Sequence, residues 1–269
     1  MKISFTTLAC PDWSWEKIVE EAARLGYDGI EVRGIGKEMF LPKCAPFLPE
    51  NRTRTMKELE SKGLEICCLD TSCVFHNEQN FNASVEEGKA TIDLAQSLGV
   101  PYIRIFGDAI PYSDRREQTI AQVARGAAEL SRYAEGKSVQ VLLETHGDFA
   151  DSNAMLAVID AVDSEAFGVL WDINNPYKYE PGETMIETYD KLGRHIKHTH
   201  IKDTLGRGPA AKIMLAGEGD VPISECVSIL RNNGYEGWLS FEWEKRWHPD
   251  IEEPEVALPQ FIRHMKSMP

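Results

Sequence analysis

Val141-Leu142-Leu143-Glu144-Thr145-His146 is a short apolar run that breaks off at a chemically capable side chain, and three later stretches repeat the design. They are Val169-Leu170-Trp171-Asp172, then His198-Thr199-His200-Ile201-Lys202-Asp203, then Ser240-Phe241-Glu242-Trp243-Glu244. Apolar runs of this length, separated by longer amphipathic stretches, are the pattern of a parallel sheet covered by helices.

Followed along the whole chain, the pattern predicts eight strands: Ile3–Thr6, Gly29–Arg33, Leu64–Asp70, Tyr102–Phe106, Val139–Glu144, Phe167–Asp172, Ile196–Ile201 and Trp238–Glu242. Helices are expected near Trp15–Leu25, Glu50–Lys62, Val85–Leu98, Arg115–Glu135, Asn153–Ala161, Thr184–Leu192, Ile223–Asn233 and Glu255–Lys266. Ser14 suits a helix N-cap, and Gly26, Gly63, Gly99 and Gly234 suit helix ends. No Pro/Ser-rich linker or low-complexity tract divides the 269 residues, so a single domain over 1–269 is expected. Eight βα units in a chain of this length match an α/β fold of the (β/α)8 TIM-barrel type. An open, doubly wound sheet fits the alternation almost as well. The first strand-to-helix loop lacks GxGxxG, however, which removes the main argument for a dinucleotide fold.

The formal charge is −14. So acidic a surface repels phosphate backbones and anionic membranes, which speaks against nucleic acid or a membrane as partner. No window reaches the length and apolarity of a membrane span, and the opening MKISFTTLACPDWSW reads as a first strand, not a signal peptide. The six cysteines, Cys10, Cys44, Cys67, Cys68, Cys73 and Cys226, form no CxxC pair. Reduced, structural thiols in a cytoplasmic protein are therefore expected, and homo-oligomerisation stays open.

In a TIM barrel the reactive residues project from the C-terminal ends of strands. Glu144, Asp172 and His200 follow one another at intervals of 28 residues, about one βα unit, and Glu242 follows 42 residues later, beyond a longer excursion over Thr204–Gly219. Such spacing brings one ligand to each successive strand at one height. Three carboxylates and an imidazole make a mixed O/N set suited to one divalent ion, Mn²⁺, Mg²⁺, Co²⁺ or Zn²⁺, in preference to soft metals. Any one strand-end carboxylate is ordinarily a cap or a solvated loop residue; the joint pattern is what argues for a site. His198 and His200 lie two apart and face the same side, so one of them is a candidate ligand and the other a core or supporting histidine.

Further pocket candidates are His146, two positions past Glu144, and Lys202, two past His200; the plain alternative for Lys202 is a surface pair with Asp203. Glu218 sits in a Gly-Glu-Gly turn. Glu31 is read either as a substrate-hydroxyl ligand or as half of a structural ion pair, and Arg104 as half of a buried structural pair. Trp13, Trp15, Trp243 and Trp247 flank the mouth segments, where aromatic faces could line a pocket, although most tryptophans are packing residues. His248 reads as a surface histidine near the rim.

At these residues the sequence resembles the xylose-isomerase-like TIM-barrel superfamily, within it the sugar phosphate isomerase/epimerase group that includes relatives of inosose dehydratase and the ketose 3-epimerases. The phrases that carry the resemblance span nearly the whole chain: Gly26-Tyr27-Asp28-Gly29-Ile30-Glu31, Leu143-Glu144-Thr145-His146-Gly147-Asp148, Trp171-Asp172-Ile173-Asn174-Asn175-Pro176-Tyr177, His198-Thr199-His200-Ile201-Lys202-Asp203, Gly217-Glu218-Gly219-Asp220-Val221-Pro222 and Phe241-Glu242-Trp243-Glu244-Lys245. The resemblance implies one metal held by Glu144, Asp172, His200 and Glu242, with Glu144 and Glu242 also moving protons. It selects His200 over His198. It also marks a departure: the family's substrate-touching histidine, three residues after the strand-six aspartate, is here Asn175, which can donate a hydrogen bond but cannot serve as a general acid.

The implied activity is metal-dependent isomerisation or epimerisation of a sugar or polyol, by proton transfer next to a carbonyl through an enediolate. Inosose-type dehydration on the same site shares the first step. No phosphate-cradling loop is evident, so an unphosphorylated small molecule is the expected substrate. A non-catalytic sugar-binding barrel is a further reading, prompted by Asn174-Asn175. A metal-dependent abasic-site endonuclease, which shares the fold, needs three metals and a basic groove, and the charge and the seven histidines argue against it.

Overall fold

The short apolar runs become strands buried on both faces. In a computed structural model that describes residues 1–268, they are β1 (Lys2–Thr6), β2 (Gly29–Val32), β3 (Glu65–Val74), β4 (Tyr102–Phe106), β5 (Gln140–Glu144), β6 (Phe167–Asp172), β7 (Ile196–Ile201) and, after a two-stranded hairpin of β8 (Asp203–Leu205) and β9 (Lys212–Met214), β10 (Trp238–Phe241). The eight longer-range strands pair in parallel in the cyclic order β1-β10-β7-β6-β5-β4-β3-β2. The ring closes where Lys2 to Phe5 of β1 register with Trp238 to Phe241 of β10. This is the expected (β/α)8 barrel, not the open sheet.

Around it lie α1 (Trp15–Leu25), α2 (Pro49–Ser61), α3 (Phe81–Leu98), α4 (Arg116–Ala134), α5 (Ser152–Val162), α6 (Asn174–Lys178), α7 (Met185–Leu192), α8 (Ile223–Asn232) and α9 (Pro254–Ser267). The expected punctuation operates: Ser14 accepts a hydrogen bond from the Lys17 N–H, and Gly26 ends α1 with φ of 78°. Thr184 and Glu187 close a reciprocal capping box at the start of α7. Between strands and helices the outward-facing residues, among them Phe5, Val141, Leu143, Trp171 and Phe241, are fully buried.

Several boundaries move for identifiable reasons. β3 runs to Val74 instead of Asp70, because Val74 still pairs with Phe106. α3 starts at Phe81, four residues early, where the Phe81 ring packs edge-on against Phe75. The short helix α6 lies outside the expected elements, and the excursion Thr204–Gly219, read as loop, contains the β8–β9 hairpin. All six cysteines are free and buried. Among the described residues no helix is long and apolar enough to cross a membrane.

Gly126 shows how closely the helical shell is fitted. A Cβ there would lie 2.1 Å from the Phe75 ring. Gly126→Ala is expected to destabilise the fold by about 1–3 kcal/mol through overpacking, despite the better helix propensity of alanine. Urea unfolding of the variant checks it; an unchanged midpoint would mean that α4 is free to shift outward.

Candidate metal centre

Alternation along each strand decides what fills the barrel. The inward positions carry Asp70 on β3, Arg104 on β4, Glu144 on β5, Asp172 on β6, and His198 and His200 on β7, while Glu242 directly follows β10; all are buried. Barrel lumens are usually filled by branched apolar residues, so a lumen this polar is organised around charge.

Glu144, Asp172, His200 and Glu242 offer ligand atoms that all lie within 4.8 Å of one another. His200 Nδ1 stands 3.5 Å from Glu144 Oε1 and 3.3 Å from Glu242 Oε1. It is buried and makes no hydrogen bond among the described residues. The other ring nitrogen, Nε2, lies 2.9 Å from Glu31 Oε1 and, carrying the proton, donates to it. An imidazole fixed through one nitrogen by a carboxylate, with the second left without a hydrogen-bond partner between acids, is the arrangement of a metal-ligating histidine. The residues present therefore fit a divalent cation. Glu31 also groups with His198 and His200, and with Cys68 and Asp70. The histidine contacts there are direct hydrogen bonds, 2.8 Å to His198 and 2.9 Å to His200, so the donors are already matched.

Charge around the quartet is balanced by two buried cations. Arg104 Nε lies 3.2 Å from Glu144, and its Nη2 lies 3.4 Å from Asp70. Lys202 Nζ reaches Asp172 at 2.9 Å, Glu242 at 2.8 Å and Glu244 at 3.2 Å. Burial works against the charged form of every acid here. At Glu242 the adjacent Lys202 and His200 overcome it and hold the carboxyl well below its usual range. At Glu144 burial is likewise overcome, chiefly by Arg104. At Asp172 burial wins, helped by the charges of Glu242 and Glu144, and pushes the carboxyl up to about 7. Burial, reinforced by Glu31, pushes Asp70 up to about 8. Although burial works against it, Glu31, Glu242 and Glu144 hold the His200 imidazole well above its usual value, and a divalent ion would bring positive charge to the same place.

The other residues singled out in the sequence take varied places. His146 is on the rim, its side chain 40% exposed, with Nδ1 3.1 Å from Asp108 Oδ1 and its ring against Phe106. Lys202 is not a surface lysine paired with Asp203; it is bonded among the quartet. Asp203 instead accepts the backbone N–H groups of Gly217, Gly219 and Val221. A Cβ on Gly219 would lie 2.1 Å from the Asp203 carboxylate, so the Gly-Glu-Gly turn serves this contact through its glycine. Glu218 itself is exposed there, and among the described residues no side-chain hydrogen bond ties it to the quartet. Asn175 donates its amide to Thr145 O at 2.9 Å and to Asp172 Oδ2 at 3.0 Å, so one hydrogen steadies the Asp172 carboxylate and the other ties the side chain to the end of β5. Asn174 N donates to the other Asp172 oxygen.

Glu31 bridges both histidines, and Arg104 is the buried pair expected of it. Trp13, Trp15 and Trp243 are core residues, and of the four only Trp247, 53% exposed, stands at the surface. His248 lies near Glu244 at 3.6 Å. Sequence reasoning passed over Asp70, although a carboxylate inside a predicted strand is a signal in itself. It also missed Asp108 and His76, which meet at 3.7 Å, on loops whose approach only the closed ring brings about.

A family model described as xylose isomerase-like TIM barrel matches residues 19–268. Fructoselysine 3-epimerase of Shigella flexneri is 25% identical over 94% of this chain and 92% of its own length. Inosose dehydratase of Klebsiella pneumoniae is 25% identical over 86% of this chain and 83% of its own length. Among solved structures, the IOLI protein with a bound zinc atom superposes with a TM-score of 0.82 at 18% identity, over 100% of this chain and 98% of that one.

Arg104 is the keystone of the lumen, and its removal leaves two buried acids facing each other. Arg104→Leu is expected to cost about 3–5 kcal/mol of stability, the penalty of stranding a buried charge. Chemical denaturation measures it; a loss below about 1 kcal/mol would show that Asp70 and Glu144 do not depend on the guanidinium.

Proposed function

The chain belongs to the xylose isomerase-like TIM-barrel family, and from that premise we propose that it is a divalent-metal-dependent sugar or polyol isomerase or epimerase. The observation that carries this reading is the bare His200 Nδ1 set among Glu144, Asp172 and Glu242. The curated relatives named for epimerisation and dehydration of sugars and inososes support the substrate class. Hard oxygen donors with one imidazole suit Mn²⁺, Mg²⁺, Co²⁺ or Zn²⁺, and the zinc in a structural neighbour is consistent with that choice. A divalent ion in this place would polarise a substrate carbonyl and stabilise the negative charge left when the neighbouring proton departs.

The protein's own groups then divide the work. Glu144, on β5, and Glu242, after β10, sit at the two ends of the four-strand arc β5-β6-β7-β10. Both are held in the ionised form, one chiefly by Arg104 and the other by Lys202. Each can therefore accept a proton, from opposite sides of a substrate seated between them. One carboxylate takes the proton beside the carbonyl, giving an enediolate. Inversion takes a second proton, which the other carboxylate gains from water and delivers to the opposite face of the same carbon while the first carboxylate gives its proton up to water. Return of the first proton to the neighbouring carbon, with the hydroxyl proton passing between the two oxygens, isomerises the substrate. Lys202 and His146 are the substrate-oxygen ligands in this reading, and Asn175 positions Asp172. Dehydration is the second reading. It is favoured by the Asp108–His146 contact, because the protonated imidazole would give its proton to a departing β-hydroxyl.

Two outcomes are expected. Mn²⁺ or Zn²⁺ binds at one equivalent, more tightly as pH rises because the ion displaces a proton from His200. Glu31→Gln, which loosens that ring, weakens binding by about 10–100-fold. Isothermal titration decides, and a stoichiometry of zero would end the metal reading. In D₂O, the metal-loaded protein introduces deuterium beside the carbonyl of a ketose or inosose, and Glu144→Gln or Glu242→Gln slows this by about 10²–10⁴-fold. Proton NMR follows the exchange. No exchange across a broad panel, with sugar binding intact, would favour the non-catalytic barrel.

A further inference from the structure

Arg33 follows β2, two residues beyond Glu31, and its guanidinium lies against Ser72 of β3, two residues nearer the mouth than the inward Asp70. Its Nη2 donates to Ser72 Oγ at 2.8 Å. Its Nη1 is buried and meets no acceptor among the described residues, in a side chain only 8% exposed. A guanidinium carries five donors and keeps its charge at any physiological pH, so a buried one is normally matched by a carboxylate. The acids within reach are committed elsewhere: Asp70 to Arg104, and Glu87 to the Ser72 N–H at 2.6 Å. The other neighbouring charges are positive, Arg104 and Arg246. Burial, with Arg104 the next cause, pushes the Arg33 guanidinium down to about 10.

The barrel order sets β2 diametrically opposite β6, the strand of Asp172. A substrate whose reacting end lies at the quartet on β5, β6, β7 and β10 therefore extends its far end towards the wall made by β2 and β3. On a chain of net charge −14, that wall presents an under-matched cation.

We propose that Arg33 is a specificity-determining residue that receives an oxyanion, a carboxylate or phosphate, on the end of the substrate remote from the reacting carbonyl. The substrate class is thus an acidic sugar or polyol, and a neutral one leaves Nη1 unmatched. Ser72 holds the guanidinium in place, and Nη1 supplies the charge-assisted bond to the incoming oxygen. The inference rests on the proposed function for which end of the substrate reacts; the anion contact itself depends on Arg33 alone.

The test is isothermal titration of the metal-free and the Mn²⁺-loaded protein with D-fructose, D-fructuronate and D-fructose 6-phosphate. At least one acidic sugar is expected to bind at least about tenfold tighter than fructose, the range of a charge-assisted contact. Preference for fructuronate names a carboxylate and preference for fructose 6-phosphate a phosphate. In Arg33→Gln the preference falls below about twofold, while fructose and Mn²⁺ affinities stay unchanged. Equal affinity for the neutral and acidic sugars, or a preference that survives Arg33→Gln, overturns the proposal. A crystal of the unaltered protein soaked in the preferred acidic sugar needs no variant: its acid oxygens are expected within hydrogen-bond distance of Nη1, and density elsewhere counts against it. Failure of Mn²⁺ to bind would strike the metal reading and leave the preference on the metal-free protein to decide Arg33 separately.

Discussion

The Arg104 guanidinium, closed off inside the barrel between Asp70 and Glu144, is the constraint on which the rest of the lumen depends. Removing a permanent charge from water is costly, and at Arg104 the adjacent acids offset that cost. Those acids stand on the neighbouring strands β3 and β5, so the pairing also ties three consecutive strands together. Glu144 in turn faces His200, which Glu31 grips from beneath, and His198 shares the same carboxylate. The polar column thus runs from the barrel's waist to its mouth as a chain of charge pairs, with the candidate quartet of Glu144, Asp172, His200 and Glu242 as its upper, incompletely matched end.

Much of this is legible in the residues because a strand obeys a period of two and a βα unit has a nearly fixed length. Those two regularities are enough to place Glu144, Asp172 and His200 at one height, and the closed ring brings Glu242 to them. Trp13, Trp15 and Trp243 cannot be assigned in the same way, since an aromatic beside a strand end serves core and pocket equally well; all three are packing residues. Lys202 is harder still. Its neighbour Asp203 is the obvious partner in sequence, yet successive strand residues point to opposite sides, and Lys202 turns inward to acids on β6 and beyond β10. Contacts between distant loops, such as Asp108 with His76 and His146, depend on the closed ring and leave no trace in spacing.

Asn175 illustrates why family patterns locate sites better than they assign roles. The family pattern has a histidine there to touch substrate, but the asparagine amide is spent on Asp172 and on Thr145 O. In this chain the position lies beside the aspartate and is hydrogen-bonded to it. Identities near 25% over most of the chain preserve a barrel and a ligand set more readily than a choice among substrates.

The three backbone N–H groups collected by Asp203 have an architectural outcome. They fasten the returning limb of the β8–β9 hairpin at Gly217, Gly219 and Val221, directly beside the strand end that bears His200 and Lys202. With both feet of the hairpin anchored, Gly206 and Arg207 beyond β8 are fastened in turn to α6, Gly206 O accepting from Lys178 and Arg207 lying over the Tyr177 ring. Because Asn174 and Asn175 of that same short helix hold the Asp172 carboxylate, a remodelled hairpin would be felt at the quartet, which couples the shape of the entrance to the centre below it.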